Sequence, residues 1–179
     1  ADIVSLLIAQ SASDAVGIAA RGVHWRNGAG ETPLHFAALK NSVAAAALLL
    51  INGADVNCID DRLIAPLMHA CSKNHVEVAT LLLDRGADLS VRNRHGLSSL
   101  HIACYKGSVC TLRVCLDRAG ADSNQLTEQG QTPLQIAAGK GREDAVRLLL
   151  SYPDTGIDKA NTQGDTSLFS ASRKGHCAV

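Results

Sequence analysis

The chain repeats itself. "TPLHFAALKN" begins at Thr32, "APLMHACSKN" at Ala65, "SSLHIACYKG" at Ser98, "TPLQIAAGKG" at Thr132 and "TSLFSASRKG" at Thr166, at intervals of 33, 33, 34 and 34 residues. A second marker keeps step, with "GADVN" at Gly53, "GADLS" at Gly86, "GADSN" at Gly120 and a degraded "GIDKA" at Gly156. Two markers holding phase over four intervals restrict the fold to an array of like units. In such an array no unit buries its apolar face alone, and stacking supplies one continuous core.

Each unit can be built from local physics. Thr32, Ser98, Thr132 and Thr166 stand where an N-cap hydroxyl accepts an orphan backbone N–H. Pro33, Pro66 and Pro133 follow at the first helical position, where the missing N–H costs nothing. A short helix then runs through small residues (Ala37-Ala38, Ala70-Cys71, Ala103-Cys104, Ala137-Ala138) that admit close neighbours. Asn41, Asn74, Gly107, Gly141 and Gly175 are the expected stops, since Gly and Asn best tolerate the left-handed C′ conformation. A second helix carries the apolar stripes "VAAAALLL", "VEVATLLL", "VCTLRVCL" and "EDAVRLLL".

Composition agrees with this and narrows the function. Hydrophobic residues make up 46% of the 179, yet aromatics only 3%, which favours helices packed through small side chains. Lys plus Arg and Asp plus Glu balance at 17 each, so no global field attracts nucleic acid or an anionic membrane. Apolar runs such as "AAAALLLI" at 44–51 are far too short to span a bilayer. "IVSLLIA" follows Asp2 rather than a basic segment and reads as a helix, not a signal core. Six cysteines form no C-x-x-C pair and no zinc-finger spacing, which points to a reduced intracellular protein, cytoplasmic or nuclear.

No catalytic motif stands out. G-x-S-x-G and H-E-x-x-H are absent, and "AAGKGR" around Lys140 lacks the upstream glycine and the Ser/Thr of a phosphate loop. No catalytic residue, cofactor or metal site is therefore expected.

The 33-residue period with "TPLHFAA", "LLLINGADVN" and "HGLSSLHIACYKG" resembles the ankyrin repeat, over roughly residues 22–179. The resemblance implies a single all-α solenoid domain, 1–179, of stacked helix–turn–helix units joined by β-hairpin-like loops. Full repeats are expected at 23–55, 56–88, 89–122 and 123–158, with an atypical N-terminal repeat at 1–22 and a truncated last one at 159–179. Both ends suggest a piece of a larger polypeptide, monomeric as an isolated domain, with fraying at the half-repeat. His35 and His101, in one phase, are implied to be structural imidazoles joining neighbouring loops. Cys71, Cys104 and Cys115 align with core positions, Phe36 is placed in the core as well, and Cys110 is expected at the surface. Asn57 sits in a context resembling targets of asparaginyl hydroxylation.

The resemblance also implies binding of a protein or peptide through turn tips and the exposed side of the first helices. On this chain that surface is Trp25 and Arg26; Arg62, Leu63, Ile64 and Lys73; Arg92, Arg94, His95, Tyr105 and Lys106; and Glu128 with Gln129. Its basic centre (Arg62, Lys73, Arg92, Arg94, His95, Lys106, against Asp60 and Asp61) suits a carboxylate-rich or phosphorylated segment. Trp25, Ile64 and Tyr105 are the expected anchors. Lys40, Lys73, Lys106, Lys140 and Lys174 recur at one site, either to complement helix dipoles or as a positive rail. The alternative function is a regulatory or substrate-docking domain of a larger enzyme whose catalytic part lies elsewhere.

One unit breaks the pattern. In "RLIAPLMHA", Leu63 stands in the place of Gly30, Gly96, Gly130 and Gly164, and Ala65 replaces the capping Thr or Ser. A bulky residue at positive φ costs about 1–2 kcal/mol, so this turn is expected to rearrange.

Overall fold

A computed structural model describes residues 22–118 and 121–176. The proposed first repeat at 1–22 therefore lies almost wholly outside the described residues, and Cys177 lies outside them too.

Among the described residues there are nine helices and no strand: α1 Pro33–Leu39, α2 Val43–Ile51, α3 Pro66–Lys73, α4 Val76–Asp84, α5 Ser99–Lys106, α6 Val109–Leu116, α7 Pro133–Gly139, α8 Glu143–Leu150 and α9 Ser167–Arg173. The odd-numbered helices pack in succession, α1 on α3, α3 on α5, α5 on α7 and α7 on α9. The even-numbered helices α2 to α8 form a second layer behind them. The result is an all-α solenoid.

The core follows from the repeat. Leu34, Leu67, Leu100 and Leu134 occupy one phase and are all buried, as are Ala38, Cys71, Cys104 and Ala138 on the next turn. The outer helices contribute Leu49, Leu82, Cys115 and Leu149. Cys115 Sγ lies 3.7 Å from Cys71 Sγ, so thiols fill the space that alanine and leucine fill elsewhere. Phe36 departs from expectation. It is 43% exposed, on a helix whose buried face is taken by Leu34, His35, Ala37 and Ala38.

Helices stop where the sequence says. Asn41, Asn74, Gly107, Gly141 and Gly175 all have φ between 55° and 75°. Every loop then closes on a side chain that sequence reading overlooked. The Oδ1 of Asn27 accepts from the N–H groups of Ala29 and Glu31, and Asn93 and Asn161 do the same in their own loops. Asp60 Oδ1 takes the Arg62 and Ile64 N–H groups at 2.8 Å each. In the fourth loop Thr127 Oγ1 accepts from Gln131.

The Leu63 turn does not rearrange. Leu63 holds φ 59° and keeps the turn of the glycine-bearing loops, its N–H donating to the Asp60 carbonyl at 2.9 Å. Neighbours on both sides fix it: Asp61 N–H donates to the Ala29 carbonyl, and Arg94 N–H donates to the Arg62 carbonyl. With the Asp60 carboxylate clamping the same turn, the surrounding bonds outweigh the steric strain.

Candidate binding surface

The loops that present the surface are held by a frame of polar side chains, the two imidazoles expected from the sequence first among them. His35 Nδ1 accepts from Thr32 N–H at 3.0 Å, and its Nε2–H donates to the Ile64 carbonyl of the next loop at 2.9 Å. His101 repeats this, taking Ser98 N–H and donating to the Gln125 carbonyl. Both act as structural imidazoles. Burial pushes both pKa values down, that of His101 to about 4, so each ring is neutral as these bonds require.

The second unit lacks this clamp. Met68 fills the slot, buried, and His69 follows one residue late; its Nε2 has no partner among the described residues, and its ring centroid lies 5.9 Å from that of His35, edge to face. A donor atom of His69 comes within 4.8 Å of carboxylate oxygens of Glu31 and Asp60. The cation already among them is Arg62, whose guanidinium reaches Asp60 at 3.1 Å and Glu31 at 3.2 Å.

Arginines clamp the loops as well. Arg26 Nη1 donates to the Ile59 carbonyl at 2.7 Å, and Arg92 Nη1 donates to the Leu126 and Gly96 carbonyls. Asp60 is not a surface acid at all. Its side chain is fully buried, and burial alone would raise its pKa, but N–H donors from Ile64 and Arg62 hold it below the ordinary value. Asn57 takes Asp88 N–H and donates to the Gly86 carbonyl, and Asn124 joins its own loop to the next through Asp154 and Gly156.

What remains free is exposed on tips and inner helices. Trp25 is 61% exposed, Tyr105 41% and Leu63 40%. Lys73, Arg94, His95, Lys106, Glu128 and Gln129 are exposed too, whereas Ile64 is half-buried. Lys40, Lys73, Lys106, Lys140 and Lys174 sit at the C-terminal ends of the five inner helices, all exposed. None of them pairs with a described carboxylate, so stacking of the inner helices sets a row of cations without a described acid partner along one face of that layer. Between Tyr105 and Arg173 that face opens into a cleft of about 340 Å³, which sequence reading missed.

No described helix is long and apolar enough to cross a membrane. Residues 29–61 match the family model described as ankyrin repeat, and residues 50–124 and 100–179 match the one described as ankyrin repeats (3 copies). No curated protein matches the chain. Family matches over most of the chain, two layers of helices stacked in register and loops clamped by buried imidazoles agree: the chain belongs to the ankyrin-repeat family, whose repeats are generally protein–protein interaction modules.

Proposed function

We propose that this chain is a binding scaffold that holds an acidic or phosphorylated segment of a partner protein along its concave face. The observation that carries the reading is the row of five lysines with no described acid partner, one at the end of each inner helix. The free side chains of Arg94 and His95 add to it, and Trp25, Leu63 and Tyr105 offer apolar contact. Arg26, Arg62, Arg92 and Ile64 contribute by holding the loops that present these groups. Glu128 and Gln129 edge the same surface. Balanced overall charge favours a protein ligand over nucleic acid, because the positive potential is local. The five described cysteines are all free thiols, which fits a reducing compartment, cytoplasm or nucleus.

Selection from a random peptide display library tests the reading. Acidic peptides should be enriched, and their affinity should fall with salt. A Lys106→Gln/Lys140→Gln/Lys174→Gln variant should bind them about tenfold more weakly or worse, equal to about 1.4 kcal/mol. Enrichment of neutral or basic peptides, or unchanged binding by the variant, overturns it.

A further inference from the structure

The fourth inner helix lacks a side chain where its neighbours carry large ones. The residue before the row lysine is Tyr105 on α5, Gly139 on α7 and Arg173 on α9. Tyr105 and Arg173 thus flank a missing side chain, and the cleft of about 340 Å³ is the space it leaves, with Leu97 and Ile136 as apolar lining. A Cβ built on Gly139 meets nothing closer than Ser170 Cβ at 3.8 Å, so the glycine is not required by crowding. Its effect is to keep the cleft open.

The cleft has a definite chemistry. Lys140, Arg173 and Lys174 line it, and no carboxylate does. Asp165 neutralises Arg173 at 2.9 Å, whereas Lys140 and Lys174 have no described acid partner. The Lys140 ammonium rests 4.4 Å from the Tyr105 ring centroid, a cation–π contact that holds the charge at the cleft wall. Ser170 lines the same cleft, only 4% exposed, with a hydroxyl that has no partner. An unpartnered buried hydroxyl is destabilising until it finds a hydrogen bond.

We propose that this cleft is the subsite for a glutamate side chain within the partner's acidic segment. The inference rests on the concave-face reading above. The two methylenes of glutamate lie against Leu97, Ile136 and the Tyr105 ring, and the carboxylate takes the ammonium groups of Lys140 and Lys174. A turn of the Ser170 side chain about χ1 lets its hydroxyl donate to the same carboxylate. Phosphoserine, with a single methylene, leaves the apolar lining bare, and glutamine brings no charge to the lysines.

Fluorescence anisotropy on the full chain tests this with a labelled, end-capped Gly-Ser-Glu-Glu-Glu-Ser-Gly peptide and versions carrying Gln or phosphoserine in place of Glu. Gly139→Phe or Gly139→Leu, filling the cleft, should weaken the Glu peptide about tenfold, and Ser170→Ala about threefold. Gly139→Ala should change little. Circular dichroism melting establishes that each variant folds, and the leucine variant stands in if the phenylalanine one does not. Unchanged affinity in a folded cleft-filling variant overturns the subsite, while the concave-face reading survives if the triple lysine variant still loses binding. Equal binding of the Gln peptide, tighter binding of the phosphoserine peptide, or no saturation by the Glu peptide up to about 1 mM also overturns it.

Discussion

Gln135 stands in the fourth unit where His101 stands in the third, and its amide reproduces the bonds of the imidazole. Its Oε1 accepts Thr132 N–H at 2.8 Å, and its Nε2 donates to the carbonyls of Lys159 and Asp165 at 2.7 Å each. One geometric task, closing a helix N-terminus while reaching the next loop, is thus performed by two chemistries. Only one of them titrates.

Acid stability should report the difference. The folded-state pKa of His101 is about 4 against an ordinary 6.5, because burial disfavours the charged ring. The unfolded chain therefore binds the proton first. The stabilisation from His101 is complete above pH 6.5, falls as pH drops, and is lost by about pH 4, a total on the order of 3 kcal/mol. His35 is shifted in the same direction. His101→Gln should keep the neutral-pH stability within about 1 kcal/mol and flatten this slope, as measured by urea denaturation at pH 7.5, 5.5 and 4.5. An unchanged slope in the variant would count against the assignment.

Leu63 is held left-handed by its surroundings, so relieving it should help. Leu63→Gly is expected to raise stability by about 1 kcal/mol, with relief of φ strain partly offset by a more flexible unfolded chain. Ala65→Thr should add about 1 kcal/mol by restoring a cap. Denaturant midpoints of the single and double variants check both. Leu63 is also exposed, so loss of peptide binding in Leu63→Gly would mark it as a contact.

Two arginines two residues apart should behave differently. Arg92→Glu removes the bonds to the Leu126 and Gly96 carbonyls and should lower the melting temperature by several degrees, about 1–2 kcal/mol. The Arg94 side chain makes no described hydrogen bond or ion pair, so Arg94→Glu should leave melting unchanged and weaken only the binding of acidic peptides. Equal melting of the two variants would remove Arg92 from the frame.

Thiol labelling reads the register directly. Cys71, Cys104 and Cys115 are fully buried, and Cys110 is exposed. Cys71 is raised by its contact with Cys115 and by burial, and Cys104 by burial. Native-state alkylation followed by peptide mapping should modify Cys110 quickly and spare the other three. Comparable labelling of Cys71 or Cys104 would mean the packing is wrong.

The architecture was legible in the sequence because periodicity, caps and left-handed stops all follow from local rules. The binding surface was less so, for a physical reason. Arg26 and Arg92 look like surface charges until the carbonyls they reach appear, more than thirty residues away in sequence. Asp60 resembled a groove acid, although it performs the loop-closing task of Asn27, Asn93 and Asn161. A recurring Asn or Asp at that phase was the available signal. Phe36 was misplaced because its phase is buried in later units, at Ile136 and Ser170, whereas in the first unit Leu34, His35, Ala37 and Ala38 take the buried face and leave the ring 43% exposed. The cleft at Gly139 could not be read, since a glycine before lysine gives no hint of what flanks it across the stack.

Foldability and recognition are written on different letters of each unit. Leu34 and its equivalents, the His or Gln clamps and the loop-closing Asn and Asp residues are committed to the frame. Leu39, Ser72, Tyr105, Gly139 and Arg173, one per unit, share a single phase and range from a missing side chain to an aromatic ring. That phase works like movable type: exchanging one character should change what the concave face accepts while the page that carries it stays intact.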